Sequence, residues 1–218
     1  PFNLIPLAGG NTGVQMGGWF NKEINSLEDL KGLKMRMPGL GGEVLERAGG
    51  TPVTLPGAEL FTALQTGAID ATEWVGPYND LAFGLYKAAK YYYYPGWHEP
   101  GSMLEFTVNK TAFEELPKDL RAIVRTASRA VNQDMLDEYT ARNNHALKEL
   151  VGKHKVQLRP YPKDVLLKLR DLSDEVLLEV SKKDEMTKRV YESFISYRDN
   201  VKEYHTLTEQ AFLNARSQ

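Results

Sequence analysis

Cysteine is absent from the 218-residue sequence. Disulfide bonds, thiolate metal sites, iron–sulfur clusters and cysteine nucleophiles are therefore excluded. The absence does not identify a compartment, because an exported protein can lack disulfides. An excess of either charge is also missing, since 27 Lys and Arg face 29 Asp and Glu for a net charge of −2. No global basic field draws such a chain to nucleic acid, so no nucleic-acid partner is expected.

A long apolar run is missing from the charge-free stretch that opens the chain. Residues 1–21 include five Gly, two Pro and three Asn, a composition that argues against a membrane span. The basic region of a secretory signal peptide is absent as well. We expect loop and strand here. The sequence starts at Pro1, and we expect the chain to begin inside a longer product, with any export signal upstream.

Glycine and proline become scarce in the second half of the chain. Seventeen of the eighteen glycines and eight of the eleven prolines lie at or before Gly101. In the first half, predicted strands and helices alternate, which favours an α/β fold with largely parallel strand pairing. The predicted strands are 33–37, 52–55, 69–74, 91–94 and 103–109, and the predicted helices are 27–31, 42–48 and 58–66.

Long helices are predicted for the second half. After Pro117, apolar residues recur at three- and four-residue spacing to Leu150, which predicts one helix of about 35 residues ending near Gly152. A strand at 156–159 and helices at 162–183, 185–204 and 208–216 follow. The last two helices carry an apolar stripe from Val190 to Phe212 with little chain left to cover it. A partner surface is therefore expected.

Generic catalytic and nucleotide-binding motifs are not found. Gly39–Gly42 precedes a helix but lacks the Lys-Ser/Thr of a phosphate-binding loop and the spacing of a dinucleotide fingerprint. His98-Glu99 is not followed by a metalloprotease histidine, and there is no Gly-x-Ser-x-Gly elbow. No catalytic residue is predicted. Tyr91–Tyr94 predicts a strand whose rings alternate between core and surface.

Polar side chains stand at the ends of predicted strands. Arg36 ends one strand, Glu73 ends the next α/β unit, and Glu99 lies in a turn between two strands. In open α/β sheets, ligands bind beyond the carboxyl ends of strands. Arginine offers a planar fork for a carboxylate, and two glutamates with a backbone carbonyl offer oxygen ligands for a hard cation. From these residues alone, two interpretations remain open: the three side chains form a binding site, or they are three unrelated surface charges.

Four segments carry a family resemblance. GVQMGGWF (13–20), SLEDLKGLKMRMPG (26–39) and ALQTGAIDATEWVGPY (63–78) closely resemble the DctP-type solute-binding proteins of TRAP transporters. KYYYYPGW (90–97) is similar to the TakP-like branch, which binds 2-oxoacids. The resemblance covers nearly the whole chain. Family members are longer, so it also implies that the N-terminal part of the first lobe is absent from this sequence.

The resemblance implies a two-lobed periplasmic-binding-protein-like α/β fold with a long lobe-spanning helix and C-terminal helices. Residues 1–72 would form the first part of the second lobe, and 73–113 the returning part of the first lobe. Residues 114–183 would supply the long helix and the remainder of the second lobe. Residues 184–218 would form C-terminal helices that join two subunits, because the TakP-like branch exchanges its C-terminal helix. A homodimer is therefore expected.

The resemblance also assigns the site. Arg36 matches the arginine that pairs with the ligand carboxylate, and Gln15 matches a glutamine near both ligand and metal. Glu73, the backbone carbonyl of Trp74 and Glu99 match the positions that hold a cation bridging to the ligand. With an anionic ligand, the site keeps two net negative charges, which Ca²⁺ neutralises fully and Na⁺ by half. Relatives are known with either ion, so Na⁺ and Ca²⁺ both stay open.

The implied function is that of a periplasmic substrate-binding subunit of a TRAP-type transporter, and not of an enzyme. It would capture a small 2-oxo or 2-hydroxy monocarboxylate, such as pyruvate or lactate, and deliver it to membrane permease subunits. Another carboxylate or a polyol is an alternative, although a polyol would leave Arg36 without its anion. A metal-assisted hydrolase or lyase would need a general base, which the sequence does not nominate. A further alternative is that this chain does not bind alone.

Overall fold

The computed structural model describes residues 2–217, which divide into two compact units, one ending at Leu169 and the next beginning at Arg170. The strands of the first unit are β1 (Leu4–Asn11), β2 (Gly18–Phe20), β3 (Lys34–Arg36), β4 (Thr51–Val53), β5 (Ala71–Thr72), β6 (Tyr91–Tyr94), β7 (Met103–Asn109) and β8 (Gln157–Pro160). Its helices are α1 (Gly39–Arg47), α2 (Leu60–Thr66), α3 (Pro77–Phe83), α4 (Lys110–Glu115), α5 (Lys118–Gly152) and the beginning of α6 (Lys163–Val180). Single 3₁₀ turns lie at Leu27–Leu30, Gly57–Glu59 and Leu85–Lys87.

A mixed sheet forms the centre of the first unit, with strand order β4-β3-β5-β2-β6-β8. β3 pairs in parallel with β4 and β5, and β6 pairs in parallel with β8. The expected parallel pairing therefore holds on both sides of the sheet. β2, within the opening segment that we expected to be loop and strand, lies in the middle and is antiparallel to β5 and β6. β1 and β7 form a separate antiparallel pair.

Aromatic rings fill both faces of the sheet around β2 and β6. The Trp19 ring stacks on Tyr92 with centroids 4.1 Å apart, and Phe20 meets Tyr93 edge-on at 4.9 Å. Tyr92 and Tyr93 are adjacent in sequence and both fully buried, so the expected alternation of rings between core and surface is wrong. The reason is that other side chains cover both rings: Trp19 stacks on Tyr92, and Tyr161 packs against Tyr93 at 4.9 Å.

Helix α5 has the predicted length, 35 residues, and links several parts of the first unit. Near its start, the Ser128 hydroxyl donates to the carbonyl of Ala8 in β1 at 2.6 Å. Farther along, Asn143 accepts the backbone N–H of Tyr78 in α3 at 2.9 Å. Leu150, near its end, is fully buried in the core beside the sheet. The apolar periodicity after Pro117 thus predicted this helix correctly.

The second unit, which begins within α6, contains α7 (Glu185–His205), a π turn (Thr206–Gln210) and α8 (Ala211–Arg216). Asp184 caps α7 by accepting the N–H of Thr187 at 2.8 Å. Arg198 of α7 pairs with Asp174 of α6 at 3.2 Å. Large apolar side chains that remain exposed here are Leu178, Met186, Val190, Phe194, Tyr197, Tyr204, Leu207, Phe212 and Leu213. Among the described residues, no helix is long and apolar enough to cross a membrane.

Candidate functional site

Arg36 enters the site from the end of β3. Its Nε donates to the carbonyl of Leu55 at 3.3 Å, and its Nη1 forms an ion pair with Glu73 Oε1. The guanidinium also lies over the Trp74 ring, 5.4 Å from the ring centroid. The side chain is only 14% exposed. Burial lowers the pKa of Arg36, and the negative charge of Glu99 opposes this shift. Arg36 is therefore a cation held in a largely dry setting.

Glu73 reaches the same place because β3 and β5 are neighbouring parallel strands. Arg36 is in register with Thr72, and the N–H of Glu73 donates to the carbonyl of Arg36 at 3.3 Å. The Glu73 side chain is 4% exposed. Its second oxygen, Oε2, lies 3.5 Å from His98 Nε2. Adjacent parallel strands thus bring an arginine and a glutamate together beyond their carboxyl ends, as expected for this class of sheet.

Glu99 and Gln15 meet because two loops pack backbone against backbone. A Cβ on Gly96 would lie 2.6 Å from the carbonyl oxygen of Gln15, so only glycine allows this approach. Gln15 Nε2 donates to Ser102 Oγ at 3.1 Å and lies 3.4 Å from Glu99 Oε1. The Ser102 hydroxyl donates to the same Glu99 oxygen. The loop after β6 is therefore tied to the loop before β2.

Two carboxylate oxygens and a ring nitrogen lie close enough together to hold a cation. Glu73, His98 and Glu99 each offer one ligand atom, and these atoms lie within 4.8 Å of one another. Gln15 Oε1 is buried and has no hydrogen-bond partner among residues 2–217. An unpaired buried acceptor is costly, and a cation would satisfy it. Two carboxylates and an amide oxygen are ligands that Ca²⁺ and Na⁺ accept.

His98 was not predicted as a site residue. Its side chain is 5% exposed, and in the described part of the chain neither ring nitrogen has a hydrogen-bond partner. Burial lowers the pKa of His98 to about 4, against the opposing charge of Glu99 and with help from the charge of Arg36. The ring is therefore neutral at pH 7. The only sequence signal was its position next to Glu99.

Trp74 forms a wall of the site. Its ring packs on Phe83 with centroids 4.8 Å apart. A Cβ on Gly57 would lie 2.6 Å from Trp74 Cη2, so glycine leaves room for the ring. The structure thus brings together Gln15, Arg36, Glu73 and Glu99, with the Trp74 ring beside Arg36. Their roles as ligands of a substrate or metal stay predictions.

Residues 2–184 match the DctP family, described as bacterial extracellular solute-binding protein, family 7.

The chain belongs to the DctP family.

The family resemblance is thus confirmed, and three relatives extend it. A monocarboxylate 2-oxoacid-binding periplasmic protein of Nostoc sp. is 45% identical over 216 residues, covering 99% of this chain and 59% of the relative. A TRAP periplasmic solute-binding protein of Colwellia psychrerythraea, solved with bound calcium and pyruvate, is 45% identical with a TM-score of 0.93, covering 98% of this chain and 65% of that one. A third, from Pseudoalteromonas atlantica T6c, was solved with bound sodium and pyruvate. It is 46% identical with a TM-score of 0.91, covering 97% and 64%.

These DctP-family matches confirm the fold class. The TM-scores of 0.93 and 0.91 cover nearly all of this chain, and the mixed α/β architecture with its long helix is the one expected. The chain spans 59% of the length of the Nostoc relative and about two thirds of the length of the two solved structures.

Proposed function

We propose that this chain acts in the substrate-binding subunit of a TRAP-type secondary transporter and captures a small 2-oxo or 2-hydroxy monocarboxylate, pyruvate- or lactate-like. The observation that carries the proposal is the buried ion pair of Arg36 with Glu73, whose carboxylate lies in one cluster with Glu99. The two solved relatives with bound pyruvate and a cation support it.

The chemistry follows from the charges of the site. The planar guanidinium of Arg36 would donate hydrogen bonds to the ligand carboxylate. Such a charged pair is strong where water is scarce. Gln15, Glu73, Glu99 and the Trp74 carbonyl would hold a cation. When bound, this cation supplies the positive charge that lets two glutamates and an anionic ligand share one site. A 2-oxo or 2-hydroxy acid suits such a site because its carboxylate and adjacent oxygen can both face a cation.

We propose either Na⁺ or Ca²⁺ as the cation. The charge count favours Ca²⁺, since the site with its ligand keeps two net negative charges. The Colwellia relative was solved with calcium and the Pseudoalteromonas relative with sodium. Competition between the two ions in a titration decides the question.

Binding without turnover is proposed for the same site. A metal-assisted hydrolase or lyase needs a general base whose pKa lies near the working pH. The sequence nominates no such base, and the DctP family is one of solute-binding proteins. We therefore propose that the chain is not an enzyme. Turnover of any 2-oxoacid by the purified protein would contradict this.

The cellular setting is proposed from the family. Members are extracellular solute-binding proteins, and the Nostoc relative is named as periplasmic. We place this chain in the periplasm, with TRAP membrane permease subunits as the partners that receive the ligand. The lobe assignment 1–72, 73–113, 114–183 and 184–218 is retained as a proposal.

A homodimer through residues 184–218 is proposed as well. Several large apolar side chains of α7 and α8 are more than half exposed, with Tyr197 at 69% and Leu213 at 62%. Such a surface costs free energy in water unless it is covered. A second copy of the same helices would cover it. The mass in solution tests this proposal directly.

Calorimetry tests the proposed ligand. The chelator-treated protein is titrated with pyruvate, lactate, a dicarboxylate and a polyol, each with Ca²⁺, with Na⁺ and with neither. The same titrations are made on a chain extended by the N-terminal portion that the longer relatives have. We expect heat for pyruvate or lactate that depends on the cation. Absence of heat from the extended chain for every monocarboxylate would contradict the proposal, and heat for a polyol alone would replace the ligand class.

A further inference from the structure

Asp80 is a buried carboxylate that the binding chemistry does not use. It lies in α3 and is 1% exposed. Its Oδ2 accepts the indole N–H of Trp19 at 2.8 Å and the hydroxyl of Tyr92 at 2.7 Å. Its Oδ1 accepts the backbone N–H groups of Val75 at 3.2 Å and Gly76 at 3.0 Å. One oxygen therefore faces the sheet, and the other holds the loop that follows Trp74.

The burial of the Asp80 carboxylate requires a physical explanation. Burying such a group is costly unless every oxygen is hydrogen-bonded, and Asp80 meets that condition with four donors from three segments of the chain. Capping α3 explains part of the arrangement, because Gly76 at the N-cap position has no side chain of its own. The cap does not explain the two side-chain donors of the sheet. Together these bonds fasten the loop to the core.

Peptide geometry connects Asp80 to the proposed cation site. The N–H of Val75 and the C=O of Trp74 belong to one planar trans peptide unit, in which the two groups point in opposite directions. Because Asp80 fixes the direction of the Val75 N–H, it also fixes the direction of the Trp74 carbonyl, which points away from Asp80. The carbonyl of Val75 accepts the N–H of Met16 at 3.1 Å. The segment that carries Gln15 is thereby tied to the same loop.

We propose that Asp80 is the positioning residue of the cation site: it aims the Trp74 carbonyl and, through Val75, holds the Gln15 segment beside it. Asp80 does not touch the ion or the ligand. The inference rests on the proposed function, since it assumes that the Trp74 carbonyl ligates a cation. Preorganised ligands lose less entropy on binding, so loosening this anchor weakens cation binding even where the fold survives.

Three variants separate positioning from general stability. Asp80→Ala removes both carboxylate oxygens, and with them the hydrogen bonds to the loop and to the sheet. Asp80→Asn keeps one oxygen that can accept the Val75 and Gly76 N–H groups. Tyr92→Phe removes one sheet-side bond and leaves the loop bonds in place, so it is the matched control. Each variant is titrated with Ca²⁺ in the presence of pyruvate, its melting temperature is measured, and the carbonyl ¹³C resonance of Trp74 is followed as Ca²⁺ is added.

We expect Asp80→Ala to weaken Ca²⁺ binding at least tenfold and to abolish the Ca²⁺-induced shift of the Trp74 carbonyl resonance. Asp80→Asn and Tyr92→Phe should lower the melting temperature but keep the affinity within about threefold of wild type. Equal affinities for wild type and folded Asp80→Ala would overturn the inference. So would an affinity loss in Tyr92→Phe as large as that in Asp80→Ala.

Amide exchange covers the case in which Asp80→Ala does not fold. In the wild-type protein, the N–H groups of Val75 and Gly76 must exchange slowly, and rapid exchange would overturn the anchoring. A wild-type chain that binds neither ion nor pyruvate contradicts the proposed function, and the inference falls with it. A wild-type chain that binds beside an Asp80→Ala variant that binds equally well contradicts the inference alone.

Discussion

Replacing Arg36 by alanine removes three contacts at once. These are the ion pair with Glu73, the hydrogen bond to the Leu55 carbonyl and the stacking over the Trp74 ring. If Arg36 pairs with the ligand carboxylate as proposed, the variant also leaves that carboxylate without its counter-charge. Because the Arg36 side chain is only 14% exposed, solvent screens these interactions weakly.

The expected loss follows from that burial. Truncating one partner of a buried hydrogen-bonded charge pair costs roughly 2–5 kcal/mol of binding free energy. This converts to a dissociation constant for pyruvate about 30-fold to several thousand-fold larger. Arg36→Lys keeps the charge but loses the planar fork, so we expect an intermediate loss. In the ligand-free protein, Arg36→Ala leaves Glu73 unpaired in the interior and lowers the free energy of unfolding as well.

Arg142→Ala is the matched control. Arg142 also pairs with a glutamate, Glu138, at 2.7 Å and also lies over an aromatic ring, that of Tyr78, at 5.2 Å from its centroid. Its side chain is 57% exposed, so its removal should leave pyruvate binding unchanged. The assay is calorimetry with pyruvate at saturating Ca²⁺, well below the melting temperature. An Arg36→Ala variant that is folded and binds as tightly as Arg142→Ala would refute the reasoning.

Three further predictions address the cation, the buried carboxylate and the exposed helices. Glu99→Gln removes one negative charge, so the ratio of Ca²⁺ to Na⁺ affinity should fall at least tenfold in competition titrations; an unchanged ratio would remove Glu99 from the ion. Burial raises the pKa of Asp80 from 3.8 to about 6, so the folded state holds this proton more tightly than the unfolded state. The free energy of unfolding of the wild type, relative to that of Asp80→Asn, should therefore fall by up to about 3 kcal/mol as the pH rises from about 4 to about 6. Urea unfolding without ligand measures both values. A difference that does not vary with pH would contradict the raised pKa. Phe194→Asp in α7, where Phe194 is 51% exposed, should convert a dimer to a monomer in light scattering, whereas a wild-type mass that is monomeric at every concentration would exclude the homodimer.

The sequence predicted the elements that carry a strong local signal. Helix α5 follows from the apolar spacing after Pro117, and it ends at Gly152 as expected. β1 and β2 lie in the opening segment that was expected to be loop and strand, but the sequence did not predict their bounds. The burial of both Tyr92 and Tyr93 was also missed, because the pattern of one strand does not reveal that its neighbours cover both faces.

The candidate site divides in the same way. The sequence placed Arg36 and Glu73 at the ends of predicted strands, where ligands bind in parallel sheets, but their joint role in one site came from the family resemblance. Gln15 was added by the family resemblance, and the residue types alone did not nominate it. His98 and the role of Asp80 were not predicted. Both depend on packing between loops and sheet segments distant in the sequence, which no periodicity encodes.

A crystal structure of the protein grown with pyruvate and Ca²⁺ tests the central claim most directly. We expect one ion bound by oxygens of Gln15, Glu73, Glu99 and the Trp74 carbonyl at about 2.3–2.6 Å. The carboxylate of pyruvate should contact both this ion and the guanidinium of Arg36. Pyruvate bound away from Arg36, or an ion held by other residues, would contradict the account.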